Sequence, residues 1–211
     1  MRVIKVQGKG RIAASPDMVT LSFGVQAKAK NYAACLDLLN CNTEALRASI
    51  TAAGCDRSRL KTGEYEITTD TQYKDGKHIH LGYCASHQLH IELPMDKELL
   101  DRTLQQVAKS QSGARIHLSF SVGDTDGMRR RVLAAAVRAA QANATVLADA
   151  AGITLGALQQ IDYGWQEIRV QGYETELLCV RSEAQATATA DIEPDEVSAE
   201  DTVTLVYAIS D

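Results

Sequence analysis

The sequence has few of the residues and motifs that mark an enzyme. Its 211 residues include one tryptophan, two phenylalanines and three prolines. It contains no G-x-S-x-G nucleophile motif, no Gly-Lys-Ser/Thr phosphate loop and no Cys-x-x-Cys pair. We therefore predict no catalytic and no cofactor-binding residues, and we expect a protein that is not an enzyme and needs no cofactor.

Excess positive charge and long apolar segments are also missing. The chain carries 22 Lys and Arg against 27 Asp and Glu, a net charge of −5, which argues against binding to nucleic acid or to an anionic membrane. No apolar run approaches the roughly 18–20 residues of a membrane-spanning helix. The first residues alternate like a strand and lack the apolar core of a signal peptide. The chain as written is therefore expected in the cytoplasm, or in the periplasm or cell envelope if a signal peptide was removed.

The cysteines predict neither a metal motif nor a disulfide framework. Their number is odd and they are widely spaced, which favours reduced thiols with a structural role. They are Cys35, Cys41, Cys55, Cys84 and Cys179.

The most informative pattern is a strand–helix–strand unit that occurs twice. Residues 18–27 alternate apolar and polar side chains, as in a half-buried strand, and residues 118–122 repeat part of that pattern. Three landmarks after the first strand have counterparts after the second at one constant offset: Gly54, Leu60 and Tyr65 match Gly152, Leu158 and Tyr163. We predict one domain over 1–211 with two β-α-β-β repeats, approximately 16–93 and 114–209, joined by a helix near 96–110.

The predicted fold is α+β, with antiparallel sheets, helices packed on one face and a long β-hairpin. Asn31 and Asp96 are the predicted N-caps of the first two helices, and Asp124-Thr125-Asp126 is predicted to begin the third. Strands near 61–73 and 78–93 flank an Asp75-Gly76 turn, and the second strand alternates without interruption from residue 79 to residue 93. That length predicts an extended arm or a bent strand.

Two further segments carry local predictions. The Gly8-Lys9-Gly10 segment is expected to let the chain turn after a short strand over 2–8. Residues 171–195, with Ala-Thr repeats followed by acidic residues, are expected to form a flexible loop.

Histidines in the hairpin are the candidates for a metal site. His78 and His80 are two residues apart and are expected to share one strand face, opposite that of His87. This pair could bind Zn²⁺ or Ni²⁺ if Asp75 or another carboxylate completed the ligand set. The alternative is a pair of solvated strand histidines.

A basic run and an aromatic group are the candidate interface residues. Arg129, Arg130 and Arg131 begin the third helix, where positive charge opposes the helix dipole. They form either a solvated charged face with local ion pairs or a subunit or anion contact. Trp165 and Tyr173 are packing anchors or part of a small exposed patch for a partner.

Several segments together resemble the SIMPL-domain family, which includes bacterial periplasmic immunogenic proteins. The segments that carry the resemblance are Val6-x-Gly8-x-Gly10, Pro16-Asp17, Gly24-Val25, Thr62, Gly82-Tyr83 and Ile192-Glu193-Pro194. The resemblance covers almost the whole chain. It implies an α+β fold and, for bacterial members, a cell-envelope location, a link to oxidative stress and, in some, a large ring- or channel-like assembly. It supplies no catalytic residue.

The sequence supports two hypotheses about function. The first is a non-enzymatic protein that acts through homo-oligomeric assembly in a stress or envelope response, because a long hairpin with exposed strand edges needs covering. The alternative is a small-ligand-binding module with a pocket between the two repeats, lined by the third helix and by Tyr65 or Tyr163.

Overall fold

The structure is a computed structural model, and it describes residues 2–74, 76–164, 174–177 and 192–210. Over these residues the helices are α1 (Tyr32–Ala52), α2 (Lys97–Lys109) and α3 (Thr125–Ala151). The strands are β1 (Val3–Ala14), β2 (Met18–Ala29), β3 (Lys61–Lys74), β4 (Lys77–Pro94), β5 (Arg115–Ser121), β6 (Thr154–Asp162), β7 (Glu174–Leu177) and β8 (Val197–Ser210). The predicted α+β class and long antiparallel hairpin are confirmed.

One sheet contains five strands in the order β3-β4-β2-β5-β7. The side chains of β2 that alternate toward one face are all buried, as predicted: Val19, Leu21, Phe23, Val25 and Ala27. β2 pairs antiparallel with β4, and α1 packs on both strands. α2 packs on α1, so the apolar face of the sheet is covered by helix and the other face stays polar.

The helices begin where the sequence predicts them. Asn31 Oδ1 accepts a hydrogen bond from the Ala34 N–H at 3.1 Å, and Asp124 Oδ1 accepts one from the Gly127 N–H at 2.8 Å. Asp96 caps α2 in the same way. Each cap satisfies an N–H group that has no partner inside its own helix. The two predicted N-caps, Asn31 and Asp96, and the predicted start of the third helix are therefore confirmed.

The second sheet has the order β1-β8-β6, and α3 packs on β1 and β8. Here the predicted turn at Gly8-Lys9-Gly10 is wrong, because β1 runs unbroken through these residues. A Cβ atom on Gly8 would lie less than 3.0 Å from backbone atoms of Ala140, and one on Gly10 would similarly overlap the Val132 carbonyl. The two glycines therefore let an alanine-rich helix lie directly against the strand.

The two sheets belong to two compact units. One unit contains β1, α3, β6 and β8, and the other contains the remaining elements. The strand order β3-β4-β2 in one sheet matches the strand order β6-β8-β1 in the other. β5 is the predicted first strand of the second repeat, but it lies beside β2. The place next to β8 that matches the place of β2 next to β4 is taken by β1. The duplication and its boundaries stay a prediction.

Two remaining predictions concern the 171–195 segment and the cysteines. β7 lies inside the segment predicted to be a loop, and the rest of that segment up to residue 191 lies outside the described residues. Cys35, Cys41, Cys55 and Cys84 are free thiols, and Cys179 lies outside the described residues. In the described part of the chain, no helix combines the length and apolarity that crossing a membrane requires.

Candidate functional site

The hairpin of β3 and β4 continues past the end of its neighbour. β2 ends at Ala29, which pairs with Tyr83, whereas β3 and β4 stay paired as far as Lys74 and Lys77. We call residues 71–74 and 77–81 the arm. In the described part of the chain these residues pair in a ladder only with each other. The arm is therefore a two-stranded ribbon beyond the five-stranded sheet.

A bulge and a glycine mark the base of the arm. Asp70 pairs with Gly82 and Thr71 pairs with His80, so Leu81 is one extra residue in β4. Gly82 has a φ of +147°, which L side chains rarely adopt, and a Cβ atom there would overlap the carbonyl of Ala29. Bulges of this kind bend a strand and re-aim its side chains.

The bulge makes the prediction of uninterrupted alternation in β4 wrong. One extra residue reverses the faces of all side chains beyond it. The ring of His80 contacts the ring of Tyr83, with centroids 5.3 Å apart, and Tyr83 packs against the core. His80 therefore lies on the side of Tyr83, and the prediction that it faces the opposite way is wrong.

Large apolar side chains of the arm are exposed to solvent. Tyr73 is 67% exposed, Ile79 is 44% exposed and Leu81 is 48% exposed. Tyr73 is covered only in part by an edge-on contact with His78, at 5.0 Å between centroids. A two-stranded ribbon is marginally stable by itself, and grouped exposed apolar side chains mark interaction surfaces. The arm is accordingly our candidate site.

Two histidines of the hairpin make ring contacts with tyrosines. His78 contacts Tyr73 and His80 contacts Tyr83, each ring edge-on to the other. Across the described ranges, no group of three or more His, Cys, Asp and Glu side chains is placed to hold a metal ion. Asp75, the suggested third ligand, lies outside those ranges. Metal binding by this pair stays a prediction.

A buried histidine forms a polar cluster that the sequence did not reveal. His87 is 7% exposed. Its Nδ1 lies 3.4 Å from Thr43 Oγ1 on α1, and its Nε2 lies 3.0 Å from Thr62 Oγ1 on β3. Burial, and then the positive charge of Arg47, lowers the pKa of His87. The sequence places His87 among the apolar residues of β4. It does not predict the two threonine partners, because they are brought to His87 by packing.

The predicted interface residues fall only partly within the structure. Arg129 is half-buried, whereas Arg130 and Arg131 are exposed on α3. Trp165 and Tyr173 lie outside the described residues. The role of the three arginines in an interface stays a prediction.

A tyrosine–carboxylate pair lies near the basic run, in the same unit. The hydroxyl of Tyr163 donates to Asp201 Oδ2 at 3.0 Å. Burial and this hydrogen bond raise the pKa of Tyr163, and the charge of Arg129 partly opposes them. The pair ties the loop after β6 to β8 and is a packing feature of this unit.

These features define an α+β protein of two antiparallel sheets with a protruding hairpin. The chain belongs to the SIMPL family: residues 4–207 match it, and the family is described as a protein of unknown function (DUF541). The resemblance found in the sequence is thus confirmed.

Named relatives are bacterial. The uncharacterized protein YggE of Edwardsiella ictaluri is 24% identical over 98% of this chain and 87% of its own length. The 26 kDa periplasmic immunogenic proteins of Brucella abortus and Brucella melitensis are each 30% identical over 75% of this chain and 65% of their own length.

Proposed function

We propose that this chain is a non-enzymatic SIMPL-family protein that assembles with further copies of itself through the arm. The observation that carries the proposal is the exposure of Tyr73, Ile79 and Leu81 on a ribbon that extends past the sheet. Covering the exposed part of such side chains contributes on the order of 1 kcal/mol each. A contact repeated around a closed assembly multiplies that gain.

A second copy suits the arm electrostatically. In the sequence, Lys74 and Lys77 flank the single acidic residue Asp75, within a chain whose net charge is −5. A basic segment that meets another copy of net negative charge gains complementary charge. The apolar side chains then supply the buried part of the contact, and the charges orient it.

The proposed location is the periplasm, because the Brucella relatives are named as periplasmic proteins. A role in an envelope or stress response is part of the proposal and rests on the family resemblance alone. The proposal of a non-enzymatic role is supported by the lack of nucleophile, phosphate-loop and Cys-x-x-Cys motifs in the sequence.

Sedimentation velocity over a concentration series tests the assembly. We expect the wild-type chain to form oligomers, and the double variant Ile79→Lys, Leu81→Lys to shift toward monomer at the same concentration. Val146→Lys is the matched control, because Val146 is also an exposed apolar residue, 65% exposed, but lies on α3. A wild-type chain that is monomeric at every concentration contradicts self-assembly. A double variant that assembles like wild type removes the arm as the interface.

A further inference from the structure

The polar face of the five-stranded sheet contains a groove that no part of the proposed function uses. Its volume is about 220 Å³. Three neighbouring strands, β4, β2 and β5, supply its lining: Ser22, Gly24, Gln26, Gln88, Arg115, Ile116 and His117. This volume lies below the roughly 300–1,000 Å³ of sites for drug-sized molecules. Any ligand that fits is therefore small.

Gly24 lines the groove on β2, the middle strand of the three. It has no positive φ that would require glycine. The atoms nearest to a Cβ added there belong to the flexible end of Gln88, at 3.2 Å for Oε1 and 3.3 Å for Nε2. Gly8 and Gly10, by contrast, accommodate the backbone of a helix. Close approach of a ligand is one of the reasons for a glycine inside a strand.

The lining offers one fixed positive charge and several neutral hydrogen-bonding groups. Arg115 is exposed and belongs to β5, and its planar guanidinium matches the two oxygens of a carboxylate. The Ser22 hydroxyl and the Gln26 and Gln88 amides supply neutral donors and acceptors. Among the lining residues that the structure describes there is no carboxylate. The groove therefore favours an anion with a further polar group.

A carboxylate on a flanking strand limits the charge of that anion. The register places Glu64 of β3 opposite Gln88. Negative charge beside the groove disfavours a dianion, since like charges raise the cost of binding. One arginine in a groove flanked by this carboxylate suits a single negative charge.

We infer that the groove over Gly24 binds a small organic monocarboxylate with a neutral hydrogen-bonding group, held by Arg115 and by the Gln26 and Gln88 amides. Lactate is the probe for this class. Propionate lacks its hydroxyl, and lactamide lacks its charge. All three molecules are of similar size, so differences in binding report on the two recognition elements separately.

Titration of the ¹⁵N-labelled protein, followed by NMR at the side-chain amides of Gln26 and Gln88, tests the inference. We expect saturable shifts with lactate. Lactamide loses the charged hydrogen bond, so we expect its affinity to be lower by about tenfold or more. Propionate loses the neutral hydrogen bond, so we expect its affinity to be lower by severalfold. Arg115→Gln should weaken lactate binding by about tenfold or more, whereas Arg102→Gln, an exposed arginine on α2, should leave it unchanged.

Gly24→Ala gives a second variant that keeps every charge. Its added methyl group lies beside the flexible Gln88 side chain, and both residues line the groove, so we expect a folded protein with weakened lactate binding. The absence of saturation up to about 50 mM lactate, where even weak millimolar binding registers, would overturn the inference. Lactate affinity that is equal in wild type and Arg115→Gln, or equal to that of lactamide, would also overturn it. Equal binding of propionate and lactate would overturn the assignment of the neutral hydrogen bond.

Discussion

Acidification should destabilise the five-stranded unit through His87. Burial and Arg47 lower the pKa of His87 in the folded chain below its ordinary value of 6.5. Between that ordinary value and the lowered one, the unfolded chain binds a proton that the folded chain does not. Stability therefore rises with pH in this window and is lost as the pH falls below about 6.5, with a slope of at most about 1.4 kcal/mol per pH unit for one proton.

The substitution His87→Gln separates this titration from the other groups of the protein. Glutamine retains a hydrogen-bonding side chain between Thr43 and Thr62 but does not titrate. We expect the variant to be less stable than wild type by about 1 kcal/mol near pH 7.5, since the 3.0 Å hydrogen bond to Thr62 is lost or weakened. The difference should shrink as the pH falls below about 6.5, because only wild type carries the proton-linked penalty.

Urea unfolding followed by circular dichroism, at a series of pH values from about 5 to 8, measures this difference. His80→Gln is the control, because it removes an exposed histidine from the same strand. If wild type and His87→Gln lose stability in parallel on acidification, the buried cluster does not cause the pH dependence and the reasoning is refuted.

Two further substitutions test the packing of the other unit and the start of α1. Gly10→Ala should destabilise the chain by roughly 2–3 kcal/mol, because its Cβ atom overlaps backbone atoms of α3. In Gly63→Ala the nearest atom lies 3.7 Å from the added Cβ atom, so this variant should lose far less stability in the same thermal-melting experiment. Equal losses of stability in the two variants would contradict the close helix–strand contact. Asn31→Ala should cost about 1 kcal/mol through loss of the α1 cap. The exposed mid-helix control Asn40→Ala should melt close to wild type, and a cap variant that does the same would argue against the cap.

Local patterns in the sequence predicted much of the fold. The alternation over 18–27 gave the buried face of β2, since side chains of a strand alternate between two faces. The side chains of Asn31 and Asp124 gave the helix starts, because caps depend on neighbours only a few residues away. Each of these features is decided within one element.

The errors arose where distant segments meet. Gly8 and Gly10 favour a turn when only the local chain is considered, but they lie in a strand because α3 packs against them. The bulge at Leu81 follows from the approach of Gly82 to Ala29 at the end of β2. Neither contact leaves a periodic pattern in the sequence.

The candidate sites follow the same division. The hairpin and its Asp-Gly turn were predicted, so the arm was accessible to sequence reasoning. The groove was not, because its lining comes from three strands that are distant in sequence. Gly24 was visible as one small residue in a strand, but its meaning depends on which side chains stand beside it.

The pairing of β1 with β8 has a consequence for the order of folding during synthesis. Val3 pairs with Ala208 and Val6 with Leu205, so nearly the whole chain must leave the ribosome before β1 finds its partner. Strands β3 and β4 form a hairpin of close sequence neighbours, and such local contacts form early. β2 pairs with β4, so its partner is also made long before β8. The five-stranded unit can therefore begin to fold while β1 is still an open edge. β8 therefore completes the sheet of β1, and a chain halted before β8 would leave this edge of β1 open to wrong pairing.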